Sequence, residues 1–184
     1  YSAAAWQLRD EAFGKVIATP NDLTARSAMQ LGAAFAGTAI ENSMLGIAHS
    51  CANPLTAHYG LIHGQAVGAM LPRVIRFNKQ DPTTAEIYQS LLGGDLAQRI
   101  EEHLDAAGLK RSLSEMGVEA AMLPQLAEEA AGQWTAQFNP VEVSASTRRH
   151  FSFVGIILPR AFAVEPNSSV AFKSLAPKLL KRQW

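Results

Sequence analysis

The chain has 184 residues, of which 48% are hydrophobic and 17% charged, a composition typical of a globular domain and not of a disordered segment. Sixteen Lys and Arg residues balance sixteen Asp and Glu residues, so the zero net charge favours neither nucleic acid nor an anionic membrane as partner. No run approaches the ~18 apolar residues that a membrane-spanning helix needs. The single cysteine, Cys51, excludes an internal disulfide, and we expect a cytoplasmic protein.

Helical periodicity begins at the first residues of the chain. Apolar residues at helical spacing predict a helix over residues 3–16. Asn21 or Asp22 can then cap a second helix over residues 23–44. Small residues such as Gly32 run through this second helix, and they predict that it is buried and closely approached by its neighbours.

Each of the next two predicted segments contains a proline. A short segment over residues 47–55 carries the first histidine and is expected to end near Pro54. A longer apolar helix over residues 66–77 contains Pro72, which removes a backbone donor and should kink it or begin its second half.

The middle of the chain is also helical in pattern. Asp81 and Asp95 precede apolar runs and can cap two further helices, and Pro124 opens a last one through about Gln133. No strand pattern occurs before Asn139. The pattern therefore predicts an all-α fold, a multi-helix bundle of about seven helices.

Three histidines, His49, His58 and His63, lie within fifteen positions of one another. Neutral imidazole is the commonest metal ligand in proteins and suits Fe(II) and Zn(II). A histidine near an apolar face is more often a satisfied core residue, and spacing alone does not separate His58 from the other two. Cys51 is either a ligand or nucleophile or, more commonly for such a residue, a small core side chain.

Three stretches around these histidines carry a family resemblance. They are residues 46–55, the tripeptide Ile62-His63-Gly64 and the run Leu71-Pro72-Arg73-Val74-Ile75-Arg76-Phe77-Asn78. Together with Phe138-Asn139-Pro140 they resemble the signature region of iron-containing (group III) alcohol dehydrogenases, over roughly residues 5–143. In that family two metal-ligand histidines are fourteen residues apart, as His49 and His63 are here.

The resemblance implies a fold, a chemistry and site residues. The chain would be the helical, metal-binding half of an alcohol dehydrogenase in the dehydroquinate synthase-like superfamily, with His49 and His63 holding Fe(II) or Zn(II). The metal would act as a Lewis acid on a small alcohol or aldehyde substrate, and hydride would pass to NAD(P) held by the other half. Asn53 stands where the family has a second histidine, and we expect it to orient substrate or solvent by hydrogen bonding.

The chain also departs from the family pattern. The family's nucleotide-binding domain and its two other metal ligands would fall before Tyr1, so we expect a fragment that is inactive alone. We assign residues 1–143 to the helical metal-binding domain and residues 144–184 to an atypical basic, loosely structured tail. A truncated, inactive helical domain and a glycerol dehydrogenase-like relative are the alternatives. The surface that faced the other domain should be apolar and promote self-association.

Overall fold

The computed structural model describes residues 1–110 and 112–143, and every regular element in this part is helical, so the all-α prediction is confirmed. The tail over residues 144–184 lies outside the described residues. Seven α-helices and two 3-10 helices follow one another along the described chain: α1 (Ser2–Ala18), α2 (Leu23–Ser43), α3 (Ile47–Tyr59), α4 (His63–Asn78), α5 (Pro82–Leu92), α6 (Leu96–Ala106), η1 (Ala120–Met122), α7 (Leu123–Ala131) and η2 (Trp134–Phe138). None of these helices is long and apolar enough to cross a membrane.

Aspartate side chains begin three of the helices, as the sequence predicts. Asp22 accepts hydrogen bonds from the first backbone amides of α2, at 2.9 and 3.1 Å. Asp81 does the same at α5, 2.7 Å from the amide nitrogen of Thr84, and Asp95 at α6, 3.0 Å from that of Ala97. Each carboxylate satisfies an amide that the helix itself leaves unpaired and complements the helix dipole.

The helix α3 continues past Pro54, so the prediction that it ends there is wrong. Pro54 and Leu55 are both buried, and their packing holds the helix together although the proline lacks a backbone donor. The helix ends at Gly60, which adopts a left-handed conformation with φ of 60° and donates its amide hydrogen to the Thr56 carbonyl. The extra turn brings the end of α3 directly to His63, the first residue of α4.

The prediction of a buried second helix is also wrong, because α2 buries only Ala25 and Gly32. Its neighbour is α1, and a Cβ on Gly32 would lie 2.6 Å from Arg9 Cγ and 3.2 Å from the Ala5 carbonyl oxygen. Small residues allow close approach on one side but do not reveal how many sides are covered. Four large apolar residues of α2 and its C-cap remain exposed: Leu23, Leu31, Ile40 and Met44.

The main core lies where α3, α4 and α7 meet. Side chains such as Ile47, Leu55, Met70 and Leu126 are fully or almost fully buried in it. A smaller cluster around Ile75 joins α4 to α6 and to α1. Burial of this apolar area, at ~25 cal/mol per Å², is the main source of stability, and it fixes α3 and α4 as the two rigid elements that carry the histidines.

Candidate metal centre

One face of α3 and the start of α4 bring the predicted site residues together. His49, Asn53 and Thr56 are spaced four and three residues apart on α3, so they lie on the same face of the helix. His63, at the start of α4, contacts this face: its Nδ1 lies 3.4 Å from the Thr56 hydroxyl oxygen. The site is thus built by the helical period of α3 and by the short connection through Gly60.

The two imidazoles of His49 and His63 lie side by side. Their ring centroids are 5.4 Å apart and their planes differ by 48°. A tetrahedral ion bonded to two imidazole nitrogens at ~2.0–2.1 Å holds the ring centres roughly 5 Å apart. The observed separation therefore fits two ligands of one ion, and the neutral nitrogen donors suit Fe(II) or Zn(II).

The environment also favours the neutral form of His49, which a metal ligand requires. Burial of this half-buried ring lowers the pKa of His49, and the neighbouring His63 lowers that pKa further. The His49 ring is therefore neutral at pH 7, with a nitrogen lone pair free to bind a cation. With His63 Nδ1 in contact with the Thr56 hydroxyl, the Nε2 of His63 is the ring nitrogen that could bind a cation.

The described residues supply only these two donors to the site. No group of three or more His, Cys, Asp or Glu side chains that could hold a metal ion occurs within residues 1–110 and 112–143. His58, the third histidine of the cluster, is exposed, and its Nε2 lies 2.8 Å from Glu129 Oε2, a contact that links α3 to α7. The structure thus separates His58 from the other two histidines, which the spacing alone does not do.

Two further links tie α3 to the segment around η2. The Ser50 and Thr135 hydroxyls are 2.7 Å apart and buried, and Asn53 Nδ2 donates to Gln133 Oε1 at 3.0 Å. Gln133 and Thr135 follow the site by about eighty positions in the chain, and no local pattern marks them. Thr56 is a site residue that the sequence could have predicted, because it lies seven residues after His49 on the same helical face.

Cys51 is a core residue and not a ligand of the site. Its side chain is 1% exposed, and burial raises the pKa of its thiol to about 12. We expect iodoacetamide at pH 8 to alkylate Cys51 at least about 100-fold more slowly in the folded chain than in urea, because the reactive thiolate is almost absent. Mass spectrometry of timed aliquots measures this rate. Equal rates with and without urea would show that the thiol is accessible.

Comparison with solved structures defines the class of fold. The chain superposes on the crystal structure of a 1,3-propanediol oxidoreductase with a TM-score of 0.73 and 25% identity, covering 87% of this chain and 44% of that one. An alcohol dehydrogenase from Oenococcus oeni shares the fold, with a TM-score of 0.71 at 22% identity over 77% of this chain and 40% of the other. The helical bundle therefore has the fold of a part of these longer chains.

Sequence comparison then defines the family. Residues 3–147 match the profile of the Fe-containing alcohol dehydrogenase family, C-terminal, and the chain belongs to this family. An aldehyde-alcohol dehydrogenase 2 of Entamoeba histolytica is 37% identical over 99 residues, which are 54% of this chain and 11% of that protein. A lactaldehyde reductase of Escherichia coli K12 is 30% identical over 164 residues, covering 76% of this chain and 42% of the reductase. The chain thus spans less than half the length of these relatives, and the family resemblance seen in its histidine segments is confirmed.

Proposed function

We propose that the chain is the metal-binding half of an NAD(P)-dependent alcohol dehydrogenase, with His49 and His63 as two of the metal ligands. The observation that carries the proposal is the proximity of their rings, whose centroids are 5.4 Å apart at the junction of α3 and α4. An oxidoreductase that acts on alcohols or aldehydes agrees with the family, in which the matched relatives include a 1,3-propanediol dehydrogenase and a lactaldehyde reductase.

The residues of the chain would divide the chemistry among them. His49 and His63 would hold Fe(II) or Zn(II), which when bound supplies Lewis acidity toward an alcohol or carbonyl oxygen. Burial lowers the pKa of His49 and so favours the neutral ring that would bind the metal at neutral pH. Thr56 contacts His63 Nδ1 and limits rotation of that ring.

Asn53 would orient the substrate or a water molecule. It lies one helical turn after His49, on the same face of α3. Its amide can donate and accept hydrogen bonds, but it does not exchange a proton near neutral pH, so the alcohol proton would leave through water or through another group. We assign Asn53 a binding role in the reaction and no acid–base role.

The nicotinamide cofactor would be bound by a part of the enzyme outside this chain. A matched relative of Bacillus methanolicus is an NAD-dependent methanol dehydrogenase, 29% identical over 153 residues that cover 76% of this chain and 40% of that protein. Hydride transfer needs the nicotinamide and the substrate in one cleft. The helical half would therefore contribute the metal and the substrate contact, and its partner half the cofactor.

A second candidate is a helical domain without catalytic activity. It is favoured by the two-donor site of the described residues, because catalytic zinc sites usually have three protein ligands and structural sites four. In this alternative the chain binds metal weakly and catalyses no reaction.

A hybrid enzyme separates the two candidates. Residues 3–143 would replace the matching part of the Escherichia coli lactaldehyde reductase, and alcohol-dependent reduction of NAD would be assayed with added Fe(II) or Zn(II). The enzyme proposal predicts activity that falls at least roughly 100-fold in His49→Ala and in His63→Ala and persists in His58→Ala. A folded hybrid that binds NAD and metal but produces no NADH would support the inactive domain instead.

We further propose that the exposed side of α2 causes the chain to self-associate. Leu23 is 77% exposed and Leu31 48%, and no charged residue interrupts α2 between Arg26 and Glu41. We expect sedimentation velocity to show dimers or larger species that grow with concentration and diminish in Leu31→Glu. Gln89→Glu, which adds the same charge on α5, should leave association unchanged. A concentration-independent monomer would contradict this expectation.

A further inference from the structure

The side chain of Asn53 is held by a residue from a distant part of the chain. Gln133 connects α7 to η2, and its Oε1 accepts a hydrogen bond of 3.0 Å from Asn53 Nδ2. Both side chains are half-buried, so water competes only weakly for this bond. Gln133 is a feature that the family resemblance alone does not connect to the site.

A second, buried hydrogen bond between the same two parts of the chain fixes the position of this contact. Ser50 is 0% and Thr135 3% exposed, and their hydroxyls lie 2.7 Å apart. Ser50 precedes Asn53 by three residues on α3, and Thr135 follows Gln133 by two. Because the buried Ser50–Thr135 pair fixes η2 against α3, the position of Gln133 opposite Asn53 is set by the packing of these two helices.

The orientation of the Asn53 amide decides what it offers to a ligand. A terminal amide torsion has two broad wells that exchange the positions of oxygen and nitrogen. While Gln133 presents Oε1, a hydrogen bond of ordinary strength favours the well in which Nδ2 faces it by roughly 2- to 10-fold. With Nδ2 donating to Gln133, Oδ1 is the Asn53 atom that remains as acceptor, on a residue one helical turn after His49.

We propose that Gln133 is a positioning residue for Asn53. It engages Nδ2 and so presents Oδ1 as the acceptor for the hydroxyl group of a small alcohol, or of a water molecule in its place, beside the histidine pair. This inference rests on the proposed function for the choice of ligand, but the Asn53–Gln133 geometry stands without it. Both side chains are uncharged amides, so they would orient the hydroxyl group by hydrogen bonding and would not act as an acid or a base.

Two variants of Gln133 test the direction of the bond. Gln133→Glu keeps an acceptor and no donor, whereas Gln133→Met keeps the length of the side chain and removes both. In nitrogen-15 NMR of the full chain, we expect hydrogen exchange of the Asn53 side-chain amide to be roughly 2- to 10-fold faster in Gln133→Met and unchanged in Gln133→Glu. The Asn53→Asp variant identifies the resonance by its disappearance. Faster exchange in both variants, or in neither, would overturn the proposal.

The side-chain amide of Asn139 provides the control for folding. It is bonded to Asn78 and to the Val141 carbonyl and should not change in either variant. If its exchange also accelerates in Gln133→Met, the Asn53 result reflects general loosening and the positioning role is rejected.

Cobalt(II) distinguishes failure of this inference from failure of the proposed function. Bound at the histidine pair, the paramagnetic ion should shift the ring resonances of His49 and His63 and the Asn53 amide in the intact chain. We expect the paramagnetic shift of the Asn53 amide to change in Gln133→Met and to match that of the parent chain in Gln133→Glu. The shifts of the two histidines should persist in both variants. Absence of histidine shifts would overturn the metal site alone, because the exchange measurement still decides the role of Gln133. Persistent histidine shifts with an unaltered Asn53 shift in Gln133→Met would overturn the positioning role alone.

Discussion

Replacing Leu55 with alanine should lower the free energy of unfolding by about 2–5 kcal/mol, because it leaves a cavity in the core beneath the histidine-bearing face. Leu55 is 0% exposed and packs among the side chains of α3, α4 and α7. It is not on the face formed by His49 and Asn53, so the loss should affect stability without removing a ligand. Urea denaturation followed by circular dichroism measures the change.

The same truncation on the surface is the matched control. Leu23 at the start of α2 is 77% exposed, and Leu23→Ala should change the free energy of unfolding by less than about 0.5 kcal/mol. If the two variants were equally stable, the assignment of the core to the contact of α3, α4 and α7 would be incorrect.

A polar cluster joins α1 to α6, and Asp10 is its centre. The carboxylate of Asp10 accepts hydrogen bonds from Arg99 Nε at 2.6 Å and from His103 Nε2 at 2.7 Å, and its side chain is 17% exposed. Phe13 packs against the His103 ring, with centroids 4.5 Å apart. Because α1 is the helix on which α2 packs, this cluster attaches the pair of N-terminal helices to the rest of the bundle.

Removing this carboxylate is the second large effect that we expect. Asp10→Ala leaves the Arg99 and His103 donors without their acceptor and should cost about 1.5–3 kcal/mol of stability at pH 7. Glu11→Ala, at an exposed neighbouring position on α1, should cost little. Thermal melting compares the two, and hydrogen exchange should show faster opening of α1 and α2 in Asp10→Ala. Equal stability of the two variants would contradict the role of the cluster.

The contribution of Asp10 should also depend on pH. Burial alone would raise the pKa of Asp10, but the hydrogen bonds from Arg99 and His103 outweigh it and hold the pKa below its ordinary value of 3.8. At pH values between the two pKa values the unfolded chain binds more protons than the folded chain, so stability rises with pH there. The contribution is complete above pH 3.8 and is lost as the pH falls through the lowered pKa of the folded state. The difference in stability between the parent and Asp10→Ala should shrink over that acidic range.

Local signals explain which parts of the fold the sequence predicts correctly. Asp22, Asp81 and Asp95 cap helices through bonds to amides two or three residues away, so the sequence contains both partners. The small residues of α2 predict burial wrongly, because burial depends on which neighbours cover the helix and no residue within α2 encodes that. The prediction that α3 ends near Pro54 is wrong for a related reason, because tertiary packing of α3 outweighs the loss of one backbone donor.

The same distinction applies to the site. His49 and His63 could be paired from a motif, and their adjacency in the structure agrees with that pairing, while their role as metal ligands stays a prediction. Gln133 and Thr135 could not be found, because they reach α3 from about eighty residues further along the chain through single hydrogen bonds. Such contacts have no period and no spacing, and only the folded arrangement of α7 and η2 reveals them.

The central claim is that His49 and His63 converge on one metal ion. The most direct test is thermal melting of the 184-residue chain during titration with Zn(II), and with Fe(II) under anaerobic conditions, into the millimolar range. At metal concentrations 100 times the dissociation constant, the bound state should gain about 2.7 kcal/mol and melt several degrees higher. We expect His49→Ala and His63→Ala each to abolish this rise and His58→Ala to retain it. A rise that survives in both site variants would contradict the claim, and no rise in the parent chain would favour the helical domain without catalytic activity.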